Sequence, residues 1–209
     1  LAPESASNIH YYSNGVDLER FNPEQEFETP FDGGEQQIVF TGAMDYWPNE
    51  DAVSWFAKKV FVAIRQDWPK ARFSIVGSRP SEKVQNLNDI DGVNVTGSVG
   101  DVRPYIKYAT VVVVPMHIAR GIQNKVLEAM AMAKPVVVTT KGLEGINARH
   151  GKDVLIADTP EAFIKEIDKL FKNGTGPAIG AAARNTVCKN FSLNKTLQEF
   201  DRWFAWVRN

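Results

Sequence analysis

Hydrophobic and polar positions alternate along this chain in blocks of two kinds. Short β-branched runs, most plainly Val111 to Pro115 and Pro135 to Thr140, are apolar throughout. Such runs suit strands buried on both faces of a parallel sheet. Between them, Ile122, Val126 and Met130 fall four apart, with Leu127 and Ala131 beside them, which gives one apolar helical face. Pro135 ends that pattern. The remaining apolar runs predict strands over Gln37 to Gly42, Arg72 to Gly77, Val93 to Gly97 and Val154 to Ala157. Helices are expected between and after them. One starts at Asn49 as its cap, with Ala52, Phe56, Val60 and Ile64 inward. Weaker ones cover Pro80 to Asn88 and the residues from a capping Asp101 to Tyr108. Stronger ones cover Glu161 to Lys172, with Phe163, Ile167, Leu170 and Phe171 inward, and Gly180 to Lys189.

Strands alternating with helices imply an α/β, doubly wound, parallel six-stranded, Rossmann-like sheet with right-handed crossovers. Ligands of such sheets bind beyond the strand carboxyl ends, at the topological switch point. The first strand is followed by Thr41-Gly42-Ala43 and lacks GxGxxG, which argues against a dinucleotide-binding enzyme.

The ends of the chain read differently. Residues 1–23 hold one short candidate strand, Ile9 to Tyr12, and a turn at Asn14-Gly15. Residues 24–36 are polar, with Pro30 and Gly33-Gly34, and read as a linker. A last helix from near Ser192 carries Leu193, Leu197, Phe200, Phe204 and Val207 on one face, flanked by Trp203 and Trp206. That aromatic face suits either a second packing surface or this domain itself. The resulting division is 1–36, 37–190 and 191–209.

Composition narrows the class. In 209 residues, 44% are hydrophobic and 23% charged, as in a globular protein, and the net charge of −1 offers no electrostatic case for nucleic acid. One cysteine, Cys188, excludes an intramolecular disulfide and reads as a helix packing residue. No signal peptide or membrane-length apolar stretch is visible. The chain begins at Leu1 without a Met, which points to a piece excised from a longer protein.

Chemistry concentrates after the fourth strand. A helix N-terminus aimed at the crevice is a ready phosphate site. Asn124 and Glu128, four apart, share its polar face. Glu128 lies two turns in, placed to accept hydrogen bonds from sugar hydroxyls beside the helix, or else to face solvent. Lys125 is placed either to reach a phosphate or to be solvated. Backbone N–H groups near Gly121 and Ile122 add donors. Gly42 lets the backbone approach a ligand. His117 either lines the crevice or is a plain loop histidine. His10, His117 and His150 lack metal-ligand spacing, and no metal site is expected.

These residues also carry a resemblance. LEAMA followed by KPVVVTT, with Asn14-Gly15-Val16-Asp17 and Phe21-Asn22-Pro23, resembles the donor domain and linker of family 4 (group 1) GT-B glycosyltransferases. The fuller runs ARGIQNKVLEAMAMAKPVVV, FTGAMDYWPNEDA and VTGSVGDVRPYI are similar to the exosortase-associated sugar transferases. The resemblance spans about residues 8 to 190. It implies the C-terminal, nucleotide-sugar-binding half of a transferase of exopolysaccharide synthesis, retaining and without a catalytic metal. UDP- or GDP-sugar would be the donor substrate, with no separate cofactor. A glycan or lipid-linked acceptor, the protein's own N-terminal domain and a cytoplasmic place, with peripheral attachment at the inner membrane face open, follow from it. So do ribose binding by Glu128, a base near Val99, Gly100 and Val102, and a sugar end near Gly142 to Gly145, where Glu144 is equally a surface residue. Arg103 is expected to tie down the loop after the third strand. With half of a two-domain cleft, the chain alone is expected to bind and not to transfer.

Two departures stand out. The family's Glu-x7-Glu motif ends at Glu128, but its first position is Arg120. The loop Ala43 to Trp47 lacks the basic residues many members carry there. Arg120 then binds phosphate, reads a sugar carboxylate, or braces its own loop. A nucleotide-sugar epimerase and a non-catalytic interaction module remain the alternatives.

Overall fold

The computed structural model describes residues 14–33, 36–194 and 196–197. The candidate strand at Ile9 to Tyr12, His10 and the aromatic stretch from Phe200 to Val207 lie outside them.

Six strands form one sheet in the order β3-β2-β1-β4-β5-β6. They are β1 (Gln37–Thr41), β2 (Arg72–Val76), β3 (Val93–Gly97), β4 (Val111–Val114), β5 (Val136–Val138) and β6 (Leu155–Ile156). Every pairing is parallel, as the uniformly apolar runs required. All residues of β1, β4 and β5 are buried. Strand order reverses between β1 and β4, so the crevice at their carboxyl ends is the switch point.

Helices cover both faces. α1 (Trp47–Trp55) runs without a break into a π-helical segment, Phe56–Phe61, and then α2 (Val62–Asp67). The predicted inward residues Ala52, Phe56, Val60 and Ile64 are all buried, and Val53, Ala57 and Phe61 join them. Phe56 and Phe61, at the two ends of the π segment, both meet Phe73 of β2, with ring centroids 4.7 and 5.7 Å away. The helix starts before Asn49, correcting the cap reading. Pro48 sits in the first turn, where a missing N–H costs nothing, and Tyr46 is the N-cap. The weak pattern over Pro80 to Asn88 resolves into α3 (Glu82–Gln85), capped by Ser81, and a 3-10 turn, Asn86–Asp89.

α4 (Arg103–Tyr108) and α5 (Asn124–Ala131) follow β3 and β4. α6 (Pro160–Asn173) is capped by Thr159, whose side chain accepts from the Ala162 N–H. Its Phe163 meets Trp55 and Phe56 edge-on at 5.6 and 5.8 Å, so α6 shares the face of α1. α7 (Gly176–Asn190) starts earlier than its pattern suggested and packs against α5 on the other face. Cys188 is half-buried within it, as a packing residue would be. No helix among the described residues is long and apolar enough to cross a membrane.

The segment 14–33 contains no regular element but is strapped down. Val16 N–H donates to the Phe191 carbonyl at 2.8 Å, and Leu193 N–H donates to the Val16 carbonyl at 3.1 Å. Asp17 accepts from the N–H groups of Glu19 and Arg20. Val16 and Phe21 enter the core.

Candidate functional site

Two glycines let β1 and β2 meet at the crevice. A Cβ on Gly77 would lie 1.6 Å from the Gly42 carbonyl oxygen, so no side chain fits there. A Cβ on Gly42 would lie 2.8 Å from Nδ2 of Asn49. Bare backbone at both positions opens a cleft of about 470 Å³, within the size range of small-molecule sites. Its walls also include Ser78 after β2, Ser98, Val99 and Val102 after β3, and Asn124, Lys125 and Glu128 on α5.

The cleft therefore unites four of the predicted residues: Gly42, Val99, Lys125 and Glu128. His117 does not join them. Its ring packs edge-on against Trp55 at 4.6 Å, and its Nδ1 lies 3.4 Å from a carboxylate oxygen of Asp51, both on α1. It lines a neighbouring cleft of about 580 Å³ with Thr140, Lys141, Glu144 and Asp158. Glu144 there pairs with Lys141 at 2.7 Å.

Gly121 and Ile122 stand apart too. α5 begins at Asn124, later than the apolar spacing from Ile122 suggested, so the first free N–H groups of the helix are those of Asn124 and Lys125. Gly121 takes a left-handed φ of 67° and Gln123 is extended, which ends any helical run before it. Ile122 leans against the loop after β5, where a Cβ on Gly145 would lie 2.8 Å from its Cγ1. Arg120 is exposed and its side chain makes no hydrogen bond or ion pair with the described residues, whereas the loop itself is held by Gln123 Nε2 donating to the Gly121 carbonyl at 3.1 Å.

Lys125 is the cation of the cleft. Its Nζ donates to Oδ1 of Asn49 at 2.5 Å, stands over the Phe40 ring at 4.6 Å and lies 4.0 Å from Sδ of Met116. Burial pushes its pKa down to about 8, while the Glu128 carboxylate works the other way. Burial likewise raises the Glu128 pKa, opposed by Lys125 and Arg20. The Glu128 carboxylate accepts no hydrogen bond from the described residues, so ligand hydroxyls would meet a free acceptor. It also borders a second cleft of about 450 Å³, lined by Asp17, Arg20 and Asn124. Asn14 Nδ2 donates to Oδ1 of Asn124 at 3.1 Å, tying the Asn14-Gly15-Val16-Asp17 segment to the start of α5.

Arg103 does tie down its loop. Its guanidinium holds both Asp101 oxygens at 2.6 to 2.9 Å and reaches the Arg20 carbonyl and the Gln25 side chain. Asp101 accepts the Arg103 N–H as well, and Arg103 holds its carboxyl below the usual range. Asn49 is the residue that sequence reasoning placed elsewhere. Its buried amide spans the Ala43 carbonyl and Lys125. Among the described residues no three His, Cys, Asp or Glu converge to hold a metal ion.

A sequence profile of the glycosyl transferases group 1 family matches residues 35–173, from before β1 to the end of α6. The chain belongs to that family. It is 27% identical over 154 residues, 70% of its own length, to an uncharacterized 44.6 kDa protein in the cps region of Klebsiella pneumoniae. It spans only 40% of that relative. Among solved structures it is similar in fold to a glycosyltransferase from Rickettsia africae, with a TM-score of 0.73 at 20% identity, covering 94% of this chain and 56% of that one. It is also similar in fold to Anabaena Alr3699/HepE in complex with UDP, with a TM-score of 0.74 at 14% identity, covering 93% and 56%. The fold is thus that of GT-B glycosyltransferases, of which this chain spans about half the length.

Proposed function

We propose that this chain is the nucleotide-sugar-binding half of a glycosyltransferase, comprising a linker (1–36), a donor domain (37–190) and a returning C-terminal helix (191–209). One observation carries the reading. Lys125 and Glu128 lie one turn apart on the helix after β4, facing a wall of bare backbone at the switch point. That arrangement suits a nucleoside diphosphate. The ammonium and the first N–H groups of α5 take the diphosphate. Glu128 accepts from the ribose hydroxyls, and the backbone around Val99 meets the base. The sugar end lies toward the loop carrying Arg120 and the neighbouring cleft of His117 and Glu144. UDP in a structural neighbour supports a UDP-type donor, and the cps-region relative supports a role in exopolysaccharide synthesis. The finer assignments are a retaining, metal-independent transfer to a glycan or lipid-linked acceptor, the exosortase-associated branch and a cytoplasmic site at the inner membrane face. They rest on the sequence resemblance.

Calorimetric titration with a panel of UDP- and GDP-sugars tests the reading. Binding of at least one donor, without sugar transfer by this chain alone, is the expected result. An interaction module would bind none of them. Transfer by the 209-residue chain would overturn the two-domain argument.

A further inference from the structure

The cleft's ammonium crosses from one half of the sheet to the other, and one side chain meets it there. Lys125 belongs to α5, after β4, whereas Asn49 belongs to α1, after β1. Asn49 is only 4% exposed, and both ends of its amide are engaged. Nδ2 donates to the Ala43 carbonyl at 2.9 Å, and Oδ1 accepts from Lys125 at 2.5 Å. Gly42 leaves room for this bridge, since a Cβ there would lie 2.8 Å from the amide nitrogen and 3.4 Å from the lysine Nζ. We propose that Asn49 is a positioning residue for the donor diphosphate, holding the Lys125 ammonium at the β1 end of the cleft without neutralising it.

An ammonium has three protons to donate. Asn49 takes one and Met116 sulfur lies at the limit for a second, which leaves at least one for a phosphate oxygen. An amide is the suitable holder. A carboxylate at 49 would cancel the charge that an anion needs, and it would face the Ala43 carbonyl with no proton to offer. The groups around Lys125 are otherwise uncharged on the sheet side: Phe40 from β1, Met116 from the end of β4, and Asn49 from α1. Glu128, on its own helix, is the charged group that acts on it.

The inference rests on the donor-binding reading, and the test separates the two. Binding of UDP and GDP, with uridine as the phosphate-free control, is followed by calorimetry and NMR shifts from pH 6 to 10. In the unsubstituted chain, UDP affinity falls as pH rises past about 8, where Lys125 loses its proton. In Asn49→Asp, UDP affinity at pH 7 drops about tenfold or more while uridine binding holds. The pH at which affinity falls moves upward, because a carboxylate partner favours the charged lysine. Asn49→Ser stays uncharged but is too short to reach both partners, and it guards against a misfolded aspartate variant. It also loses UDP and keeps uridine. Equal losses for UDP and uridine, or a pH profile unmoved in Asn49→Asp, overturn the positioning role. If the unsubstituted chain binds neither UDP nor GDP, the donor reading itself fails.

Discussion

The two walls of the cleft are built on opposite plans. The wall from β1, β2 and the loop after β3 presents backbone and small side chains: Gly42, Gly77, Ser78, Ser98 and Val99. Not one of its described residues in the cleft is charged. The facing wall is one polar helix face, and it carries both the cation and the anion, Lys125 and Glu128. One wall sets shape by what it omits, and the other sets chemistry by what it projects. Tolerance to substitution should differ accordingly. Changes in the bare wall should damage folding and cleft shape together. Changes on the helix should alter binding and its pH dependence while the fold survives.

The largest effect should come from Gly77→Ala. Its Cβ would sit 1.6 Å from the Gly42 carbonyl oxygen, a contact that only backbone movement of β1 against β2 can relieve. We expect a loss of about 3 kcal/mol or more in denaturant unfolding. A loss under about 1 kcal/mol would mean that the bare wall is slack and tolerates substitution as the helix face does.

Glu128→Ala should show the opposite behaviour. The fold should hold, because the carboxylate has no hydrogen-bond partner among the described residues to lose. Nucleotide-sugar binding should weaken by about 1.5–3 kcal/mol, the usual worth of a hydrogen bond to a charged group. An unchanged dissociation constant in a folded variant removes Glu128 from the site.

A smaller effect concerns stability rather than binding. The folded-state pKa of Lys125 is lowered from 10.5 to about 8 by burial. Between those values the unfolded chain binds more protons than the folded one, so folding stability rises with pH across that window. Relative to Lys125→Met, the unsubstituted chain should gain about 1 kcal/mol or more by pH 10. Parallel stability curves for the two chains from pH 8 to 10 would show that Lys125 is hydrated.

The same contrast explains what could be read before the structure. The six strands were legible because runs such as Val111–Val114 are apolar at every position, which only a doubly covered sheet needs. The charged wall was legible in part, since helical spacing alone puts Asn124 and Glu128 on one face. The bare wall was legible at Gly42 and, through the family resemblance, at Val99 and Val102. Gly77 ends a strand run like an ordinary glycine, and its meeting with Gly42 is a product of β1–β2 register. Asn49 had the right chemistry for a cap, but Pro48 and Tyr46 started the helix earlier and turned its amide inward. The π segment was hidden because apolar residues four apart fit a regular helix equally well. His117 follows β4 as its sequence position implies, but its contacts with Asp51 and Trp55 of α1 hold it beside the neighbouring cleft, and no local pattern signals those contacts.

Arg120 offers the finest test of how far the charged wall extends. It stands four residues before α5, exposed and without a partner among the described residues, and it lines none of the clefts around Glu128 or His117. If the charged wall ends at Asn124, Arg120→Glu changes nucleoside diphosphate affinity by no more than about twofold, the size of a screened surface interaction. A donor whose sugar bears a carboxylate would then lose much more than its nucleoside diphosphate, because the guanidinium pairs with a carboxylate through two parallel hydrogen bonds. A neutral sugar donor would lose little. Loss of nucleoside diphosphate binding equal to the loss of the whole donor would instead extend the charged wall to this loop and make Arg120 a phosphate ligand beside Lys125. Unchanged binding of every donor in the panel would separate Arg120 from the site altogether.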